Sequence, residues 1–180
     1  MMRDYRQTRV FILFLALYLI CAFVGASDAQ TLKVNHTTKG NLRQEIVAAL
    51  KKKKVPAHKI TKIVIQGDGL MTFEDCRALV TYSPEDPREE PVKGILPNLK
   101  SLDLRKAAFE KDAVPDTALD YYLPGAFEKF TKLEHVFLPN SLKKIGARAF
   151  KDCRKLTTLT YGKNLREIDF EAFYNCDQFE

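Results

Sequence analysis

GAFEKFTKLEHVFLPNSLKKIG, residues 125–146, is followed at an interval of 23 residues by RAFKDCRKLTTLTYGKNLREID, residues 148–169, and the pattern opens again as EAFYNCDQFE, residues 171–180. With Phe127, Phe150 and Phe173 as one column, the others are Phe130/Cys153/Cys176, Leu133/Leu156/Phe179, Val136/Leu159, Leu138/Tyr161, Leu142/Leu165 and Ile145/Ile168. Self-similarity at this period marks a unit that cannot bury its apolar face alone and stacks on a copy of itself, as in a solenoid.

Working outward, the spacing apolar-x-x-apolar-x-apolar recurs in residues 60–65 (ITKIVI, with Ile60, Ile63 and Ile65), 99–104, 133–138 and 156–161. This is the strand pattern of a leucine-rich repeat, and it predicts four parallel strands. First, fourth and sixth positions, Leu156, Leu159 and Tyr161 in the second repeat, point inward; Ala149, Phe150 and Cys153 form a short helical turn that plugs the coil. Third and fifth positions then face out: Lys62 and Val64, Ser101 and Asp103, His135 and Phe137, Thr158 and Thr160. Lined up in adjacent strands they form one stripe, the candidate ligand-binding face. Phe137 is its most informative member, as an aromatic suited to a protein contact or a sugar ring. The alternative is that it packs against the neighbouring loop.

Upstream, Leu32 and Val34 alternate with polar residues in a short half-buried strand. Asn41 and Gln44 read as a capping box for a helix from about Leu42 to Lys54, with Leu42, Ile46, Ala49 and Leu50 on one face. Lys51 to Lys54 sit at its C-terminal end, where the helix dipole favours cations, and Pro56 stops it. A nucleic-acid or anionic-membrane patch is the other reading of these lysines, but no aromatic residue is interleaved with them. A helix is expected in residues 72–82, where Phe73 to Leu79 resembles Phe150 to Leu156 and reads as a diverged repeat. A loop with Pro84, Pro87, Pro91 and Pro97 follows, and Arg105 to Leu123 reads as a second insertion, with Pro115 and the Tyr121, Tyr122 pair.

The chain opens with Arg3, Arg6 and Arg9, an uncharged run from Val10 to Val24, and small residues around Ala26 and Ala29. The run is shorter than the ~20 residues a spanning helix needs, so residues 1–29 read as a secretory signal peptide cleaved after Ala26 or Ala29. An uncleaved anchor is the alternative, and acylation at Cys21 is disfavoured by Ile20 before it. The formal charge of +6 falls when the arginine-bearing leader is removed, so basicity argues little about partners. Beyond the leader lie Cys76, Cys153 and Cys176, an odd number for a disulfide framework. They read as buried free thiols, with a bridge between neighbouring coils as the alternative. The division is therefore residues 1–29 as leader, 30–124 as N-terminal cap with irregular repeats and two insertions, and 125–180 as regular repeats, the last incomplete.

No HExxH, GxSxG or phosphate-cradling loop is present, and His36, His58 and His135 are isolated in sequence from cysteines and paired carboxylates. Gly67-Asp68-Gly69 reads as a turn. No catalytic residue, metal or cofactor is expected.

The pattern Gly-Ala-Phe-x-x-Phe-x-x-Leu-x-x-Val-x-Leu-Pro-x-Ser-Leu-x-x-Ile-Gly of residues 125–146 resembles the repeat of Bacteroides surface protein A-like (BspA-like) leucine-rich-repeat proteins. Residues 31–104 are similar to the lead-in that precedes such repeats. The resemblance implies an α/β right-handed solenoid with a parallel sheet, short helical turns and a strand-helix N-terminal cap. It further implies export to the periplasm or cell surface, and adhesion by binding protein or glycan partners. The second repeat departs from the pattern, with Gly162-Lys163-Asn164 for the Pro-x-Ser turn and Asp169 where Gly146 stands. Asp116-Thr117-Ala118 resembles a bacterial O-glycosylation sequon centred on Thr117, and Asn35-His36-Thr37 is an N-glycosylation triplet in a eukaryotic pathway. The sequence stops at Glu180, where another strand is due, leaving Phe173, Cys176 and Phe179 without a following coil. Either the chain is a fragment, or a partner or second copy covers that end. This second case makes an envelope assembly component the alternative function.

Overall fold

The computed structural model describes residues 31–81, 93–115 and 125–179. The expected leader, Cys21, the prolines at 84, 87 and 91, Thr117 and the Tyr121, Tyr122 pair lie outside the described residues.

The chain runs β1 (Thr31–Asn35), α1 (Leu42–Lys53), β2 (Lys62–Met71), α2 (Phe73–Leu79), β3 (Ser101–Phe109), β4 (Ala113–Val114), β5 (His135–Phe137), β6 (Lys144–Ile145), β7 (Thr158–Thr160) and β8 (Glu167–Ile168). All pairings among these strands are parallel. One sheet has the order β1-β2-β3-β5-β7 and a second β4-β6-β8, so from β3 onward the chain alternates between two sheets. The four expected strands are present, and β1 joins them as a fifth. The second sheet was not expected: two-residue strands carry no periodicity to read.

Side chains of Leu32, Val34, Ile60, Ile63, Ile65, Leu99, Leu102, Leu104, Leu133, Val136, Leu138 and Leu156 fill the space behind the first sheet and are buried. On the flank, the Phe127, Phe150 and Phe173 rings stack with centroids 5.2 and 5.5 Å apart, and Phe179 extends the column at 5.2 Å from Phe173. Cys153 and Cys176 donate their thiols to the carbonyls of Phe127 and Phe150, at 3.3 and 3.2 Å. All three described cysteines are free; Cys76 and Cys153 are buried as expected, whereas Cys176 is only partly so.

The plug around Phe150 is a pair of hydrogen-bonded turns rather than a helix. Lys151 and Cys153 donate to the carbonyls of Arg148 and Phe150, but Arg148 and Asp152 take φ of 54° and 59°. Glu171 and Asn175 repeat these left-handed positions 23 residues later, and Lys129 precedes them. The reversal swings the backbone N–H groups sideways, so Phe127, Lys129, Phe150 and Asp152 donate to the next turn at Ala149, Lys151, Ala172 and Tyr174.

Four expectations need correcting. Asn41 makes no side-chain cap on α1; instead the buried Asp75 carboxylate accepts from the Gly40 and Leu42 amides, at 3.0 and 2.9 Å, and from Thr72 in its own capping box. Gly67-Asp68-Gly69 is not a turn but lies inside β2, where the register to β3 shifts. Gly67 has φ of 114°, and a Cβ there would lie 2.3 Å from the His36 carbonyl oxygen, so only glycine fits this close approach. Arg105 to Val114 is not an insertion but completes β3, passes a 3-10 turn at Glu110–Asp112 and forms β4. Tyr161 and Ile168 are not buried as expected: they are 56% and 53% exposed, because no described turn stacks on theirs as it does on Leu138 and Ile145. His36, isolated in sequence, is brought by the fold between two carboxylates and buried there, with Nδ1 2.6 Å from Glu45 and Nε2 3.7 Å from Asp75.

Candidate functional site

Strand register decides which outward side chains meet. In the first sheet Thr31, Lys62, Ser101, His135 and Thr158 are successive register partners, and so are Lys33, Val64, Asp103, Phe137 and Thr160. All eight residues expected on the face therefore lie in two adjacent rows across neighbouring strands. At the ~4.8 Å spacing of paired strands the rows are roughly 19 Å long. Thr31 and Lys33 were missed, although the inward alternation of Leu32 and Val34 leaves them facing out.

The middle of the face is tied together by charge. Arg105 donates Nε and Nη2 to the two Asp103 carboxylate oxygens, at 2.9 and 2.6 Å. Lys62 Nζ lies 4.0 Å from the same carboxylate. Asp103 is only 4% exposed beneath these cations. The Arg105 hydrogen bonds hold its carboxyl below the ordinary aspartate value, against the opposing effect of burial.

Both cations also approach Phe137. The Arg105 guanidinium carbon is 5.3 Å and Lys62 Nζ 5.7 Å from the ring centroid, within cation–π range. Phe137 is half-buried in consequence. Of the two readings of this residue, contact with a ligand and contact with residues after Asp103, the geometry supplies the second at Arg105 and leaves the ring's remaining edge in the face. Arg105 belongs to the site, and its place in a presumed insertion hid it. The signal was available: it stands two residues after Asp103, the strand's own outward spacing.

Away from the cations the face is neutral. His135, Thr158 and Thr160 offer hydrogen-bonding groups over β5 and β7, with Thr160 exposed and the other two partly so. Among the described residues, no group of three or more histidine, cysteine, aspartate or glutamate side chains is placed to hold a metal. A separate open groove of about 650 Å³ lies beside β4, lined in part by Lys39, Glu74, Glu110 and Lys144. Two of its lysines are paired: Lys39 with Glu110 at 3.0 Å, and Lys144 with Glu167 and Asp169 at 2.9 and 3.0 Å.

Residues 104–180 match the family model of the BspA type leucine rich repeat region, in six copies. The match begins within β3, in agreement with the placement of residues 105–114 in the repeat frame. No curated protein and no solved structure gives a match.

Proposed function

We propose that this chain, with residues 104–180 matching the BspA type leucine rich repeat region, is a BspA-like leucine-rich-repeat protein that acts as an exported, non-catalytic binding module and engages proteins at a cell surface. Its alternating strands form a right-handed solenoid, with residues 1–29 as the export leader, 30–124 as cap and irregular repeats, and 125–180 as regular repeats. The binding face is the pair of rows on the first sheet. The observation that carries this reading is the register, which brings outward residues of five strands into one surface. A flat, side-chain-dense sheet face suits recognition of another chain better than enclosure of a small molecule. Support for export comes from the arginine-led apolar leader and from the family. No described helix is long and apolar enough to cross a membrane.

The test is attachment. Beads coated with the chain are expected to attach to cultured cells or to extracellular-matrix proteins. Attachment is expected to drop when His135, Phe137 and Thr160 are changed to Ala with the fold intact by circular dichroism. Undiminished attachment of that variant contradicts the proposal.

A second reading, an envelope assembly component that pairs through its last turn, is favoured by one observation. Tyr161, Ile168, Phe170 and Tyr174 are large, apolar and about half exposed. It requires concentration-dependent self-association in light scattering; a monomer at all concentrations removes it.

A further inference from the structure

Within the two rows the charges are unevenly distributed. Lys33 and Lys62 lie over β1 and β2, Arg105 projects from β3, and the one carboxylate of the rows, Asp103, is buried and spent on the cations. Arg105 and Lys62 keep 61% and 38% of their side-chain surface exposed, so their charge remains available to a ligand. Over β5 and β7 the rows carry His135, Phe137, Thr158 and Thr160, with no carboxylate and no lysine or arginine.

Resting on the binding-face reading above, we propose that the partner is an acidic, extended segment of a protein, lying across the strands. Its carboxylates sit over Lys33, Lys62 and Arg105, and its uncharged polar residues over β5 and β7. The length fits: at ~3.3 Å per extended residue, about six residues cross the five strands.

Charge complementarity selects this occupant over a sugar. A neutral glycan needs a bare aromatic platform or free planar acceptors for its hydroxyls. Phe137 already carries two cations within 6 Å of its ring centre, and both Asp103 oxygens are taken by Arg105. What remains exposed at that end of the face is positive. Asp103 acts as a positioning residue, holding Arg105 in place while Phe137 supports it from below.

The experiment is calorimetric titration of the full chain with three synthetic peptides of about ten residues. One alternates Asp and Glu with Ser and Thr, one replaces the acids by Asn and Gln, and one replaces them by Lys. The acidic peptide is expected to bind at least about tenfold more tightly than the other two, and to lose about tenfold on going from low to high salt. Lys33→Gln and Lys62→Gln are each expected to weaken it about threefold while melting like the parent. Equal binding of acidic and neutral peptides, with both lost in Phe137→Ala, overturns the acidic assignment and leaves the face as a binding surface. Acidic-peptide binding indifferent to Lys33→Gln, Lys62→Gln and Phe137→Ala overturns both. Failure of the acidic peptide to bind, or preference for the basic one, overturns the acidic assignment; the bead test then decides the face independently.

Discussion

Arg105 grips both carboxylate oxygens of Asp103 while its guanidinium rests 5.3 Å from the Phe137 ring centre, joining β3 to β5 on the outer side of the first sheet. The pairing orders a part of the surface that would otherwise be three independent side chains. It also leaves a pH signature.

Asp103, Glu45 and Asp169 all hold their carboxyls below ordinary values. For Asp103 the chief cause is the Arg105 hydrogen bond. At Glu45 burial pulls upward, but hydrogen bonds from Thr37 and His36 outweigh it. At Asp169 the cause is the Phe170 amide, then Lys144. In each case the unfolded chain binds protons more readily than the folded one. Their stabilisation is therefore complete above the unfolded values, about pH 4, and is lost as pH falls through the depressed folded values. Urea midpoints measured from about pH 6 down to about pH 2 are expected to fall in that window, with a shallower fall in Asp103→Asn.

Asp75→Ala is expected to destabilise the chain by about 3 kcal/mol, because it strips acceptors from the Gly40, Leu42 and Thr72 amides in a buried site. Asn41→Ala is expected to change stability by less than about 0.5 kcal/mol, since that side chain caps nothing. Urea denaturation of both variants checks the order, and an equal or reversed effect refutes the assignment of Asp75 as the cap of α1.

Gly67→Ala combines a φ of 114° with a Cβ set 2.3 Å from a backbone oxygen, so the loss is expected to exceed about 2 kcal/mol. A thermal melt of this variant close to that of the parent would show that the crossing of β2 over His36 is looser than described.

The three described thiols are expected to differ in reactivity. Burial pushes Cys176 up to about 11, and drives Cys76 and Cys153, which are more deeply buried, higher still. Alkylation near pH 8 followed by peptide mapping is expected to label Cys176 first, with Cys76 and Cys153 labelled only on unfolding. A disulfide-linked Cys153–Cys176 peptide contradicts this packing.

Much of this architecture is legible in residue order because inward positions are apolar and regularly spaced. Ile60, Ile63 and Ile65 announce their strand as plainly as Leu133, Val136 and Leu138 do, and all six are buried. Spacing alone does not secure burial: Tyr161 holds the position of Leu138, yet it is exposed because burial is supplied by the following turn. Asp75 was missed as a cap because its recipient, Leu42, lies 33 residues away. Ala113 and Val114 were passed over because two residues cannot display a period. The candidate face was readable as outward positions, but only the register joins them to Thr31 and Lys33. Arg105 stands at the outward spacing two residues after Asp103, but it joins the face only because β3 runs on past Leu104.

The central claim, that the two rows of the first sheet are the binding face, is tested most directly by hydroxyl-radical footprinting of the chain free and attached to its target surface. Oxidation of His135 and Phe137 is expected to fall on attachment, while Tyr161, Phe170 and Tyr174 label unchanged. Protection confined to Tyr161, Phe170 and Tyr174, with His135 and Phe137 unaffected, would contradict it.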